Sequence, residues 1–265
     1  MNVLVTVDRR CLMALSVMVK SLVENTRDTV HLYVMHRTLT EGDLDKIRQA
    51  VPSPRLVLHN VPVTKTFVKH APTSRRYPVE IYDRLFAAWC LPEEVHRILY
   101  LDPDLVVVRP IDDLWNVNLH GNLFAAASHV DPLATFFNDL RLCASPGTPY
   151  LNSGVLLMDL DAFRKRTSPK KIQSYIAWHT LFLALPDQDV LSALYGRKTL
   201  LLDPTLYNMT ERLYRKECMR YGKERTEKQV FSSVRIVHYV GRNKPWKDTY
   251  RGDLDVFWKR YENYE

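Results

Sequence analysis

Asp102-Pro103-Asp104 closes the apolar run 97–101 and sets two carboxylates two residues apart. In an extended chain residues i and i+2 point the same way, their stems ~6.6 Å apart. Such a pair can straddle one hard divalent cation, with metal–oxygen distances of ~2.1 Å, and leave open positions for a diphosphate. Pro103 keeps Asp102 extended. The same tripeptide also suits a turn that binds nothing. His238 shares a strand face with Ile236 and Val240, so it is either a hydrogen-bonded core histidine or a metal ligand. Three residues on, Gly241 allows close backbone approach, and Lys244 in that loop could neutralise a phosphate or simply face solvent. In Pro186-Asp187-Gln188-Asp189 the pattern suits Asp187 as an N-cap and Asp189 as a complement to the helix dipole. The same geometry would project these polar groups into a cleft. Asn152-Ser153-Gly154, just before an apolar strand, reads by itself as a turn.

These residues need elements to position them. Residues 2–7 form a near-continuous apolar run, the pattern of a strand buried on both faces, and Leu12, Leu15, Val19 and Leu22 repeat at helical spacing over about 11–23. Strands at 31–35 and 55–59 flank a polar helix over 41–50. Residues 60–78, with several prolines and basic residues, read as a mobile loop. A helix over about 81–91 ends at Pro92, and the strand Arg97–Leu101 runs into Asp102. This βαβαβ order predicts an α/β fold with a mostly parallel sheet covered on both sides, whose ligands lie beyond the carboxyl ends of the strands. Asp8, Asp102 and Asp104 all sit at such ends.

In the second half, strands are expected at 122–127, 154–158 and 234–240, and helices at 170–184 and from near Asp187 to Gly196. The charged stretch 211–228 reads as one solvated helix with ion-paired faces. No linker or repeat divides the chain, so one domain, 1–265, is expected.

Composition narrows the function. With 265 residues, 46% hydrophobic and 25% charged, the chain can bury a large core without staples. Four scattered cysteines with no CxxC pair exclude a zinc ribbon or a disulfide scaffold, and thiols are expected reduced, in a cytoplasmic protein. No apolar run reaches the ~18 residues of a membrane span. Eight glycines supply neither GxGxxG nor a P-loop. A net charge of +7 favours acidic partners in general, but no nucleic-acid motif accompanies it.

Taken in order, VTVDRR, Tyr82-x-Arg84, ILYLDPDLVV, YLNSGVLLMDL, PDQDVL and HYVGRNKPW resemble glycosyltransferase family 8, the retaining group that includes lipooligosaccharide galactosyltransferases and glycogenin. The six elements span about residues 2–248. HxxGxxKPW with an upstream DxD is the most specific pair. The resemblance implies a GT-A fold, a single Rossmann-like domain with a nucleotide-binding half over about 1–110 and an acceptor and sugar half over about 111–265, a UDP-sugar donor, and Mn²⁺ or Mg²⁺ held by Asp102, Asp104 and His238. It places Gly241 and Lys244 on the diphosphate, Thr6 and Asp8 against the uridine, and Arg84 near the diphosphate and sugar. Asn152, Asp187 and Gln188 would line the reaction site, with Asp189 as an alternative nucleophile. A glycan or lipid-linked acceptor in the cell envelope follows, with an enzyme at the inner face of the plasma membrane.

The chain departs from the family pattern at Arg10, Cys11 and His129, and it ends soon after HxxGxxKPW in an aromatic-basic segment, 256–265, a candidate for peripheral membrane contact. Acceptor loops are expected at 60–80 and 205–230. A sugar-phosphate nucleotidyltransferase or a non-catalytic nucleotide-sugar-binding protein is the alternative reading.

Overall fold

A computed structural model describes every residue except 65, 66, 69, 70, 72–77 and 263–265. Its strands are β1 (Asn2–Thr6), β2 (Val30–His36), β3 (Leu56–Pro62), β4 (Arg97–Leu101), β5 (Leu105–Val107), β6 (Phe124–Ser128), β7 (Leu151–Asp159), β8 (Thr199–Leu202) and β9 (Ile236–His238). Seven make one sheet in the order β3-β2-β1-β4-β7-β6-β8, and β5 pairs with β9 in a separate ladder. Four of the sheet's contacts are parallel, and β7 alone runs against its neighbours β4 and β6.

The double burial expected of β1 is present. Val3 and Val5 pack in one layer and Leu4 in the other, and β4 splits the same way, with Leu99 and Leu101 opposed to Ile98 and Tyr100. Helices α1 (Leu12–Glu24) and α2 (Glu41–Ala50) cover the first face. A capping box starts α2, with Thr40 and Asp43 satisfying each other's backbone N–H. On the far side of the chain, past α3 (Pro132–Arg141), helices α4 (Leu160–Arg166), α5 (Pro169–His179) and α6 (Pro186–Tyr195) cover the second face.

Several expectations need correction. The stretch 81–91 is three short helical turns, Glu80–Asp83, Arg84–Phe86 and Ala87–Cys90, rather than one helix. The helix over 170–184 is α5 followed by a 3-10 turn at Thr180–Phe182. The charged stretch 211–228 is two helices, α7 (Glu211–Tyr221) and α8 (Lys223–Ser233), broken by Gly222 at φ +85°, a conformation that suits glycine. Asn152-Ser153-Gly154 is not a turn but lies near the start of β7, where the register with β6 shifts between Ala126 and Ser128 and the Gly154 carbonyl accepts from Asp102 N–H. Strand β3 runs on to Pro62, inside the expected loop 60–78, and much of the rest of that loop lies outside the described residues.

Of the carboxyl-terminal aromatic-basic segment 256–265, residues 263–265 lie outside the described residues. The rest lies in α9 (Asp255–Glu262), and Phe257, Trp258 and Tyr261 are buried in a third core with β5, β9 and Ala14 and Val17 of α1. Trp258 has no exposed surface and packs edge-to-face against Tyr239 and at a tilt against Trp246. These aromatics hold the β5–β9 ladder and are not available to a bilayer. Trp258→Ala should therefore cost about 3–5 kcal/mol, read as a lower urea midpoint at unchanged slope. An unchanged midpoint would mean that α9 is a loose appendage.

Candidate active site

The site forms where β1 and β4 end, where β7 begins and where the β5–β9 ladder folds over. Register does the positioning. Leu105 lies opposite His238, and Tyr239 N–H donates to the Asp104 carbonyl at 3.0 Å, so the ladder brings the imidazole of His238 beside the Asp104 carboxylate. On the other side Asp102 N–H donates to the Gly154 carbonyl at 2.8 Å. Asp102, Asp104 and His238 each offer one atom to a group lying within 4.8 Å, and His238 Nε2 stands 3.2 Å from Asp104 Oδ1 and 3.6 Å from Asp102 Oδ2.

The donor set fits a divalent cation. His238 Nδ1 lies 3.0 Å from Asn208 Oδ1, and Asn208 Nδ2 donates to Asn152 Oδ1 at 2.9 Å, which assigns Asn208 Oδ1 as an acceptor. Nδ1 then carries the hydrogen, and the lone pair of Nε2 faces two carboxylates. Three Lewis bases pointing at one another call for a cation, with Asn208 as the orienting partner of the histidine. Asn208 is fully buried, and its place follows from Met209, which bonds Ile236 and His238 through its backbone.

Gly154 makes the arrangement feasible. A Cβ at that position would run into His238 Cε1 and lie 2.6 Å from Asp102 Oδ2. Its N–H meanwhile donates to Asn152 Oδ1.

Two cations, Lys244 and Arg84, face three carboxylates at the triad. Lys244 bonds Asp104 Oδ2 and, at 2.7 Å, the carbonyl of Tyr239. Arg84 Nη1 lies 3.0 Å from Asp102 Oδ1 and 3.2 Å from Asp187 Oδ2, and its guanidinium stacks on Tyr100 at 4.3 Å. Burial raises the pKa of Asp104, yet the positive charge of Lys244 opposes it, and the carboxyl is held well below its usual range. At Asp187 burial wins over Arg84 and Ser153, and the pKa is raised. Arg84 remains charged because its carboxylate neighbours outweigh the cost of its burial.

Thr6 is buried at the end of β1 and its hydroxyl lies 3.0 Å from the Tyr100 hydroxyl, which in turn donates to Asp102 Oδ1 at 2.7 Å. Asp8 caps the 3-10 turn Arg9–Cys11 and accepts from the backbone and guanidinium of Arg10. Burial and the Asp8 charge push the Cys11 thiol up to about 12, so it stays neutral. His129 donates to the Asn208 carbonyl at 2.8 Å, and burial pushes its pKa down to about 4, again leaving it neutral. Gly241 has φ +83° in the loop leading to Lys244.

Helix α6 brings Asp187 to the site, though not as the pattern suggested. Leu185 is the N-cap and Pro186 the first helical residue, which moves Asp187 inside the helix, where Ser153 Oγ donates to it at 2.7 Å. Asp189 is fully buried. It accepts from both terminal nitrogens of Arg141, from the Tyr150 hydroxyl at 2.7 Å and from the backbone N–H groups of Ala184 and Leu185. With both oxygens so engaged, Asp189 is placed to fix the start of α6 rather than to attack a sugar. Gln188 is half-buried. Tyr100, Asn208, Tyr150 and Arg141 were missed from sequence. Only Tyr100 carried a signal, standing two residues before Asp102 on the same strand face.

The likeness to known proteins follows this geometry. A crystal structure of the galactosyltransferase LgtC in complex with donor and acceptor sugar analogues superposes with a TM-score of 0.80 at 20% identity, covering 99% of this chain and 95% of that one. The shared architecture is the GT-A fold. A model of glycosyl transferase family 8 matches residues 2–250, and the chain belongs to that family. It is 28% identical to a lipopolysaccharide 1,2-glucosyltransferase of Escherichia coli K12 over 254 residues, 93% of this chain and 72% of the relative. It is 24% identical to a lipopolysaccharide 1,3-galactosyltransferase of Salmonella typhimurium over 186 residues, 68% of this chain and 52% of the relative.

Gly154→Ala should leave the circular dichroism spectrum unchanged and weaken divalent-cation binding roughly ten- to a hundredfold, because the new methyl displaces the His238 ring. Equal affinity, titrated with Mn²⁺, would show that the imidazole does not take part.

Proposed function

We propose that this chain transfers a hexose, glucose or galactose, from a UDP-sugar to a glycan or lipid-linked acceptor of the cell envelope, with retention of anomeric configuration and with Mn²⁺ or Mg²⁺ bound. The observation that carries the reading is the convergence of Asp102, Asp104 and the Nε2 of His238 at the carboxyl edge of the sheet. Family membership favours glycosyl over nucleotidyl transfer, and the glucosyl- and galactosyltransferases among the relatives favour a hexose. The two halves act as one domain, since two metal ligands come from the first and the third from the second.

Asp102, Asp104 and His238 would hold the cation, which when bound offsets negative charge on the diphosphate of the departing UDP. Lys244 moves its ammonium from Asp104 to a phosphate oxygen, and the left-handed backbone at Gly241 lets the loop approach the diphosphate closely. Asp8 lies against the uridine. Thr6 acts through Tyr100, keeping that hydroxyl on Asp102. Arg84, held between Asp102 and Asp187, orients the diphosphate and sugar. Asn152, Asp187 and Gln188 receive the sugar.

Retention follows from front-face attack. The acceptor oxygen bonds to the anomeric carbon on the face from which the phosphate oxygen departs, and the acceptor proton passes to that phosphate oxygen. Double displacement would need a free carboxylate. Gln188 is a poor nucleophile, Asp187 is taken by Arg84 and Ser153, and Asp189 is saturated by five donors.

Calorimetric titration with UDP tests the donor site. Wild type should bind in the presence of Mn²⁺ and lose binding in EDTA, and Asp104→Ala should bind in neither condition. Lys244→Met should still bind the cation but lower kcat by roughly 10²–10³, the cost of removing one charge-stabilising donor. UDP binding that ignores both EDTA and Asp104 would contradict the reading.

A further inference from the structure

Helix α3 is built inside out. Leu133, Phe136, Phe137 and Leu140 recur at i, i+3, i+4 and i+7, the spacing of a core-facing stripe, yet they are 67%, 62%, 60% and 72% exposed. The residue it buries is Asp139, whose carboxylate is taken by the Gly147 N–H at 2.6 Å. Arg141 ties the end of α3 to the Phe182 carbonyl, and there Trp178, Leu181 and Phe182 are exposed as well. An apolar face of this extent on one side of a chain marks an interaction site.

Beneath α3 lies a cavity of about 760 Å³, within the range of small-molecule sites. Its walls include Val130, Pro132, Phe136, Leu140, Pro149 and Leu201. The Thr135 hydroxyl donates to the Asp131 carbonyl and Asp139 is engaged by Gly147, so two of the polar side chains in the wall are already partnered within the protein. The cavity sits at the carboxyl ends of β6 and β8. These strands run in the same direction as β4, so the cavity shares the sheet edge that carries the metal triad. One shared wall separates the two. His129, between Ser128 and Val130 of the lining, bonds Asn208, and Asn208 bonds His238. Across the cavity, Pro149 precedes Tyr150, which holds Asp189 next to Gln188.

We infer that this cavity is the acceptor-side subsite for a hydrocarbon chain, so that the acceptor is an amphiphile whose hydroxyl reaches the sugar while its alkyl portion lies under α3. The assignment rests on the transferase reading above. A carbohydrate would need unpartnered polar groups along the walls, whereas a hydrocarbon needs the apolar lining present. The exposed Phe137 and Leu133 continue that lining outward as an entry slope.

Cys143 lines the cavity and is exposed, whereas Cys11, Cys90 and Cys218 are half-buried, so its alkylation by N-ethylmaleimide reports occupancy without donor, metal or turnover. Cys143→Ser supplies the background. n-Decyl β-glucoside, kept below its micelle-forming concentration, should protect Cys143 while methyl β-glucoside does not. Across hexyl, octyl and decyl glucosides the protecting concentration should fall by roughly three- to fourfold per added CH₂. Ala144→Trp, which fills the cavity, and Leu140→Asp, which makes its exposed wall polar without repacking, should both abolish protection.

Equal behaviour of decyl and methyl glucosides would overturn the subsite, as would protection that survives both variants. Protection only by phosphatidylglycerol vesicles, lost in Phe137→Ser and Trp178→Ser but not in Ala144→Trp, would instead make the face a bilayer-docking surface and also overturn it. Failure here with metal-dependent UDP binding intact removes this inference alone. Loss of UDP binding with protection intact removes the transferase reading and with it the acceptor role, leaving only a cavity that binds a hydrocarbon chain.

Discussion

The hydrogen bond between His238 Nδ1 and Asn208 decides what the centre of this molecule can be. It turns the basic nitrogen of a buried imidazole toward two carboxylates, an arrangement that is unfavourable until a cation separates the three. Much of the nearby architecture serves that contact. The β5–β9 ladder sets the height of His238 over Asp104, Met209 pins the backbone beside Asn208, and Gly154 leaves out the Cβ that would fill the space. The third hydrophobic core, with Trp258 at its centre, holds the ladder in place.

Electrostatics around the triad follow from burial and pairing. Two permanent cations, Arg84 and Lys244, face the three carboxylates Asp102, Asp104 and Asp187, which leaves a deficit of positive charge that a divalent ion can meet. The pairs are not equivalent. Arg84 is enclosed and stacked on Tyr100, so it is a fixed part of the wall, whereas Lys244 rides on a loop behind Gly241 and can exchange Asp104 for a phosphate. Asp189, three residues from the cleft wall at Pro186, shows the opposite use of a carboxylate. Its five donors make it a structural anchor for the helix that carries Gln188.

Much of the first half was legible in the sequence because its strands are buried on both faces and its helices are amphipathic, so periodicity and location agree. The helix at 41–50 and the strand at 97–101 match residue for residue. The second half was less legible. The four-residue strand β8 was not expected, and the strand expected over 234–240 keeps only the three residues of β9; both are set by their partners rather than by local preference. Asn152 to Gly154 have turn chemistry but belong to the nine-residue strand β7, and α3 carries a core pattern on its outer face. At the site, ligand types and the DxD spacing were readable, whereas Asn208 and Arg141 were not, because their roles arise from contacts between segments distant in sequence.

The most direct test of the central claim is pulsed electron paramagnetic resonance of Mn²⁺ bound to the protein. If Asp102, Asp104 and His238 hold one ion, the Mn²⁺ signal will carry nitrogen modulation from a directly bonded imidazole in wild type, and His238→Ala will lose it. Mn²⁺ bound with no nitrogen coupling, or with coupling that persists in His238→Ala, would contradict the account.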